Sequence, residues 1–210
     1  MAPTQPLETL LQAVDNALRA VFAPAQASRP LPDLPAGIPL DEPARRHAAG
    51  LMRVNHAGEI AAQALYHGQA LLAREGATRD FMLRAAAEEG DHLAWCEQRL
   101  GELGARRSVL DPLWYAGSFA IGAAAAALSD ALSLGFVAET ERQVASHLEA
   151  HLRTLPSEDA RSRHIVATMQ REEAGHAAAA LSAGGAQLPP LARSVMKMAS
   201  QVMTRTSYWL

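Results

Sequence analysis

Cysteine occurs once in this 210-residue chain, at Cys96. That excludes an intramolecular disulfide and makes a reducing compartment the expected home. Aromatic residues make up only 5% of the chain, and its glycines do not mark out short strands of the kind that sandwiches and barrels need. Excess charge is also missing: the formal net charge is -3 and the isoelectric point is about 6.2, so no basic footprint for nucleic acid is present. The stretch Met1 to Gln12 has no basic segment followed by an apolar one, and no cleaved secretory signal is expected. What the chain does have is long segments rich in alanine and leucine, and 49% hydrophobic content. These predict an all-α protein with one substantial core.

Proline and glycine divide the chain. A short amphipathic helix is expected from Leu7 to Phe22, with Leu7, Leu10, Leu11, Val14, Leu18 and Val21 on one side. Pro24, Pro30, Pro32, Pro35, Pro39 and Pro43 then forbid regular helix across a connector. Residues 1–43 are therefore read as an N-terminal helix and proline-rich connector, and residues 44–210 as the main domain. Within that domain, helices are expected over about Ala44 to Arg74, Thr78 to Leu103, Asp130 to Leu155 and Ser157 to Leu181, with a terminal amphipathic helix from Leu191 to about Tyr208.

Two copies of Glu-x-x-His lie in these helices, Glu89-Gly-Asp-His92 and Glu173-Ala-Gly-His176. Each follows a lone helical glutamate, Glu59 at 30 residues and Glu141 at 32, and the two motifs are 84 residues apart. A helix turns by about 100° per residue, so positions i and i+3 share a face and can reach one metal ion. A single such motif is common in an alanine-rich helical chain. Here, however, each pair interrupts an apolar stripe: Phe81, Met82, Ala85, Leu93, Cys96 and Leu100 around the first, Ile165, Val166, Met169, Ala177 and Ala180 around the second. Glu141 falls among Leu134, Val137, Ala138, Val144, Ala145 and Leu148, whereas Glu139 and Glu149 are expected to look outward. Glu59 shares a less apolar face with Asn55, Ala62, Tyr66 and Ala70. Glu88 and Glu172, one residue before each motif, are expected to face solvent.

No lysine or arginine lies on these stripes. Buried carboxylates cost several kcal/mol each unless compensated, and two divalent cations would balance four glutamates. Carboxylate oxygens with one imidazole per metal suit iron or manganese better than zinc. Four glutamates and two histidines so placed on four helices are the ligand set of ferritin-like di-iron and di-manganese bundles.

The uncharged stretch Pro112 to Ser129 leaves three placements open: a membrane span at the lower limit of length, a buried crossover between the helix pairs, and an interfacial helix with Trp114, Tyr115 and Phe119 at a lipid boundary. Val195, Met196, Met198, Ala199, Val202 and Met203, with Arg193, Lys197 and Arg205 beside them, favour the peripheral membrane surface.

The chain resembles the demethoxyubiquinone hydroxylases of ubiquinone biosynthesis. The resemblance is carried by Arg53-Val54-Asn55-His56-Ala57-Gly58-Glu59, Glu88-Glu89-Gly90-Asp91-His92-Leu93-Ala94-Trp95-Cys96, Ser129-Asp130 through Gly135-Phe136-Val137-Ala138-Glu139-Thr140-Glu141, and Glu172-Glu173-Ala174-Gly175-His176. It spans about Ala44 to the C-terminus. It implies a ferritin-like four-helix bundle with a crossover helix and extra terminal helices, holding two iron ions. One iron would take Glu59, Glu89 and His92, the other Glu141, Glu173 and His176, with Glu89 and Glu173 as bridges. His147 matches a family position near the quinone and is the candidate catalytic residue.

The implied reaction is hydroxylation of a demethoxy polyprenyl benzoquinone or quinol with O2. One oxygen atom enters the ring, the other leaves as water, and two electrons are consumed. NADH or a reductase is the candidate donor, although no Gly-x-Gly-x-x-Gly dinucleotide fingerprint occurs. The expected location is peripheral, at the cytoplasmic face of the inner or cell membrane, as a homo-oligomer or within a ubiquinone-biosynthesis complex. The rival readings are a ferritin-like protein for iron storage or peroxide scavenging, and a soluble di-iron tRNA hydroxylase.

Overall fold

The computed structural model describes residues 6–30 and 37–210, with the side chains at positions 6, 7, 9 and 10 left aside. Among the described residues the chain forms seven helices and no strand: α1 (Pro6–Phe22), α2 (Glu42–Leu72), α3 (Gly76–Glu102), α4 (Asp111–Leu128), α5 (Asp130–Thr154), α6 (Ala160–Ser182) and α7 (Pro190–Ser207). The expected all-α class is found. Pro32 and Pro35 of the connector, the start of the segment read for a signal, and the side chains of Leu7 and Leu10 lie outside the described residues.

Local chemistry sets the boundaries. Asp41 caps α2 by accepting from the Ala44 amide at 2.9 Å, with Pro43 in the first turn, so the helix starts two residues before the predicted Ala44. Ser129 caps α5 through the Leu132 amide, and Asp159 caps α6 through the Ser162 amide. The two helices carrying Glu-x-x-His also end alike. Gly104 (φ 66°) and Gly184 (φ 104°) adopt the left-handed conformation just past α3 and α6. The Ala105 amide donates to the Leu100 carbonyl, and the Gly185 amide to the Ala180 carbonyl, the paired bonds of a glycine-terminated helix.

Short turns at residues 73–75 and 155–159 fold α3 back along α2 and α6 back along α5. The two hairpins close into a four-helix bundle through α3 with α6 and α2 with α5. Two apolar layers fill it. Met52, Trp95, Cys96, Leu148, Ile165 and Met169 belong to one, and Tyr66, Met82, Leu134, Val137 and Ala180 to the other. On every core helix the proposed ligands fall between these layers in sequence, so the charged groups are sandwiched in the middle of the bundle.

Helix α4 is the crossover. It runs along α2 so closely that a Cβ at Gly68 would overlap the Phe119 carbonyl oxygen, and one at Gly122 the Leu65 carbonyl oxygen. Only Asp111, Tyr115, Gly122 and Ala126 of α4 are buried; Leu113, Ile121 and Leu128 are exposed. The buried-crossover expectation therefore holds for one edge of the helix. No helix among the described residues is long and apolar enough to cross a membrane. Helix α7 lies over α2 and α5 and leaves Leu191, Val195, Met198 and Val202 exposed. On α1, Val21 of the predicted stripe is buried with Ala20 against Ile60, Ala64 and Leu93, whereas Leu11, Val14 and Leu18 face outward.

Candidate metal centre

Glu59 comes from α2, Glu89 and His92 from α3, Glu141 from α5, and Glu173 and His176 from α6. The four carboxylates and His92 are all at most 3% exposed. One ligand atom from each of Glu59, Glu89, His92 and Glu173 can be chosen so that all four lie within 4.8 Å of one another.

The centre has an internal two-fold pattern. His92 Nδ1 lies 3.0 Å from Glu89 Oε2 and 2.9 Å from Glu173 Oε1. His176 Nδ1 lies 3.2 Å from Glu89 Oε1 and 3.2 Å from Glu173 Oε2. Each of the two inner glutamates thus turns one oxygen toward each histidine. Glu59 flanks the His92 side, with Oε2 3.8 Å from Nδ1, while Glu141 interacts with Glu173 and His176 on the other. Two ligand atoms about 2.1 Å from one ion at right angles would stand about 3 Å apart, close to the 2.9–3.2 Å between each Nδ1 and the oxygens of the two inner glutamates, with Glu59 farther off at 3.8 Å.

The electrostatics of the protein groups follow from burial and crowding. Burial, then Glu89 and Glu173, push the Glu59 carboxyl well above its ordinary range; burial and Glu173 do the same to Glu141. Burial opposes charge on His176, but its bonds to Glu173 and Glu89 outweigh that and raise it to about 11. Burial likewise opposes ionisation of Glu173, yet His176 and His92 bring it well below the usual carboxylate range. Glu141 Oε1 has no hydrogen-bond partner, and Glu89 Oε1 and Glu173 Oε1 face only imidazole nitrogens that already bond the other inner glutamate, a costly arrangement for protein groups alone. These donors fit divalent cations.

The outer face corrects one expectation and bears out another. Glu172, expected to face solvent, is partly buried and accepts from His92 Nε2 at 2.8 Å. Glu88 does reach solvent, but its Oε2 lies 2.9 Å from His176 Nε2. Each histidine of one half is therefore held from behind by the glutamate preceding the motif of the other half. With Nε2–H so engaged, Nδ1 is the nitrogen that faces the centre and would offer its lone pair to a bound cation once its own proton is displaced, the usual way a ligating imidazole is oriented. The doubled glutamates Glu88-Glu89 and Glu172-Glu173 were the legible signal, since the extra carboxylate recurs in both halves. Only interhelical packing shows that a residue about 100° around one helix meets a histidine on the next.

Glu139 also departs from expectation. It is 8% exposed rather than outward, accepting from Arg142 and Gln143. Gln143 also donates to the Arg193 carbonyl of α7, so the terminal helix covers this flank. Glu149 is exposed as expected.

His147 stands outside the cluster, partly buried, with Nε2 unpartnered and its pKa lowered by burial. It lines a cavity of about 30 Å³ with Asn55, Glu59, Val144, Ser200 and Thr204, and also the wider groove between α5 and α7.

Comparison with known proteins agrees with this geometry. Residues 46–207 match the family model described as ubiquinone biosynthesis protein COQ7. The chain is 55% identical over 207 residues to a 3-demethoxyubiquinol 3-hydroxylase of Bordetella parapertussis, covering 98% of this chain and 93% of that protein. It is 54% identical to the protein of the same name from Nitrosospira multiformis, over 97% and 99% of the two chains, and 55% identical to that of Azoarcus sp. strain BH72, over 92% and 95%. A bundle with this buried carboxylate and histidine layer, matched over nearly its full length, belongs to the COQ7 family of ubiquinone biosynthesis proteins.

Proposed function

We propose that this chain is a 3-demethoxyubiquinol 3-hydroxylase, a monooxygenase that adds one hydroxyl group to a demethoxy polyprenyl quinol at a membrane surface. The observation that carries the reading is the placement of Glu89 and Glu173, each with one oxygen toward each histidine. It supports a centre of two iron ions, one held by Glu59, Glu89 and His92 and the other by Glu141, Glu173 and His176. When bound, the iron pair supplies the activation of dioxygen and passes on the two electrons of each turnover. Storage and scavenging readings lack the organic substrate that the names of the relatives specify, and nothing favours a tRNA substrate.

The chain's own residues hold and shield the reaction. Glu172 and Glu88 fix the histidine rings, and the apolar layers above and below the carboxylates exclude water. The cavity beside Glu59 is the natural place for the quinol ring, since it joins the cluster to the α5–α7 groove through His147. At about 30 Å³ it has room for about one water, so α7 must move outward to admit a ring. His147, kept neutral by burial, would then accept the quinol hydroxyl proton at its unpartnered Nε2.

The uncharged outer side of α4, with Leu113, Ile121 and Leu128, and the apolar residues Val195, Met198 and Val202 of α7 support peripheral attachment to lipid. We place the protein on the cytoplasmic face of the cell membrane, drawing electrons from NADH or a reductase. Complementation tests the function. Cells lacking the activity should accumulate the demethoxy quinone, and this chain should restore ubiquinone, as read by mass spectrometry. Glu89→Ala and His176→Ala should abolish rescue. A wild-type chain that takes up and oxidises iron, yet leaves the demethoxy species unconverted under oxygen with a competent reductant, would overturn the reading.

A further inference from the structure

The two-fold pattern of the centre is broken from outside the bundle. Residues 25–30 cross the α3–α6 seam as a non-helical strap that bends at Ser28 and Arg29. The Ala25 amide donates to Glu97 at 2.7 Å, and the Ser28 amide and hydroxyl both donate to Asp91. Arg29 donates from Nε to Asp91 Oδ2 at 2.6 Å and from Nη1 and Nη2 to the two oxygens of Glu172 at 3.2 and 3.0 Å. Its guanidinium also sits 5.2 Å from the Trp95 ring centroid, and that ring packs 5.3 Å from the His92 ring. One arginine thus clamps both Asp91, the neighbour of His92, and Glu172, the carboxylate that holds His92 Nε2. A bidentate fork of this kind fixes a carboxylate's orientation as well as its charge.

The other half has no such clamp. Glu88, which holds His176 Nε2, pairs with no arginine among the described residues, and its side chain is 53% exposed. His176 is 19% exposed where His92 is 0%, and it borders an open cavity of about 560 Å³ whose walls are Arg84 and Glu88 together with Arg29, Asp91 and Glu172 of the clamp, while His92 is not among its lining residues.

We propose that Arg29 is a positioning residue for the metal centre, acting through Glu172 on His92, so that the His92 side retains its metal while the His176 side exchanges. This rests on the reading of the cluster as a dimetal centre. Partners behind a ligating histidine change metal affinity by about 10- to 100-fold when removed. The strap therefore sets which ion is kept when iron is scarce, and makes the cavity beside His176 the route by which metal enters and leaves.

The test is ferrous iron release from the full-length protein to a colorimetric chelator under anaerobic conditions. Wild-type protein should release its iron in two phases of equal amplitude. Arg29→Ala should speed the slow phase by about tenfold or more and leave the fast phase alone, which general loosening of the fold would not do. Arg29→Lys keeps the charge but not the fork, and should still speed the slow phase severalfold. Glu172→Gln should match Arg29→Ala, and the double variant should be no faster than either single one, because both act along one path. A slow phase in Arg29→Ala within twofold of wild type, additive effects in the double variant, or single-phase release from wild type would overturn the proposal. Absence of bound iron from the wild type would overturn the dimetal reading along with it.

Discussion

Arg99 of α3 and Asp159 at the start of α6 join the two halves of the bundle, with Nη2 2.8 Å from Oδ1 and the carboxylate only 1% exposed. The same Asp159 oxygen caps α6 through the Ser162 amide, and Arg99 Nε donates to Ser162 Oγ. This knot sets the height of α6 against α3, and with it the separation of the two Glu-x-x-His motifs. Arg99→Ala leaves a buried carboxylate uncompensated, and should cost about 3–5 kcal/mol in denaturant unfolding. A loss below about 1 kcal/mol would show that the knot does not hold the seam.

The inner position of Glu173 makes a prediction about metal. Purified wild-type protein should bind about two iron ions per chain, Glu173→Ala should lose most of that capacity, and Glu139→Ala, whose partners are Arg142 and Gln143, should keep it. Glu172→Ala should bind iron more weakly than wild type, because His92 Nε2 loses its acceptor. Metal analysis after equilibrium dialysis reads all three. Equal iron content in Glu173→Ala and wild type would refute the ligand assignment.

Attachment to lipid through apolar surface is insensitive to ionic screening. The protein should sediment with lipid vesicles and be released by detergent more readily than by salt. Leu113→Glu with Ile121→Glu, on the exposed side of α4, should move it to the supernatant. If wild-type protein stays wholly in the supernatant at low salt, these faces serve another purpose.

His151 supplies a pH dependence separate from the cluster. Burial, with His147 and His47 nearby, lowers its pKa to about 3, and its ring packs edge-on to His147 with centroids 3.9 Å apart. In the unfolded chain a histidine takes up its proton near pH 6.5, while the folded chain resists it. The contribution of His151 to stability is therefore fully present above about pH 6.5 and is lost as the pH falls toward 3. Between pH 7 and pH 5 the loss is on the order of 2 kcal/mol. Denaturant unfolding at both pH values should show this much weaker pH dependence in His151→Leu. Parallel pH profiles for variant and wild type would contradict it.

Much of the bundle was legible in the chain, because its determinants are local. Asp41, Ser129 and Asp159 cap helices, prolines 43 and 112 open them, and Gly104 and Gly184 end the two motif helices, all through contacts within a few residues. The inward direction of the proposed ligands Glu89, His92, Glu141, Glu173 and His176 was legible for a related reason: a place on an apolar helical stripe fixes which way a side chain points before its neighbours are known, whereas Glu59, on a less apolar face, was legible only from its spacing to Glu89. Tertiary structure decided what lies between helices. That Glu172 holds His92, that Glu88 holds His176, that α7 covers Glu139, and that Arg29 crosses from the N-terminal segment to clamp Glu172 depend on which helix stands beside which. Helical periodicity gives a residue's direction from its own axis, and the identity of the group it meets is set only when the helices pack.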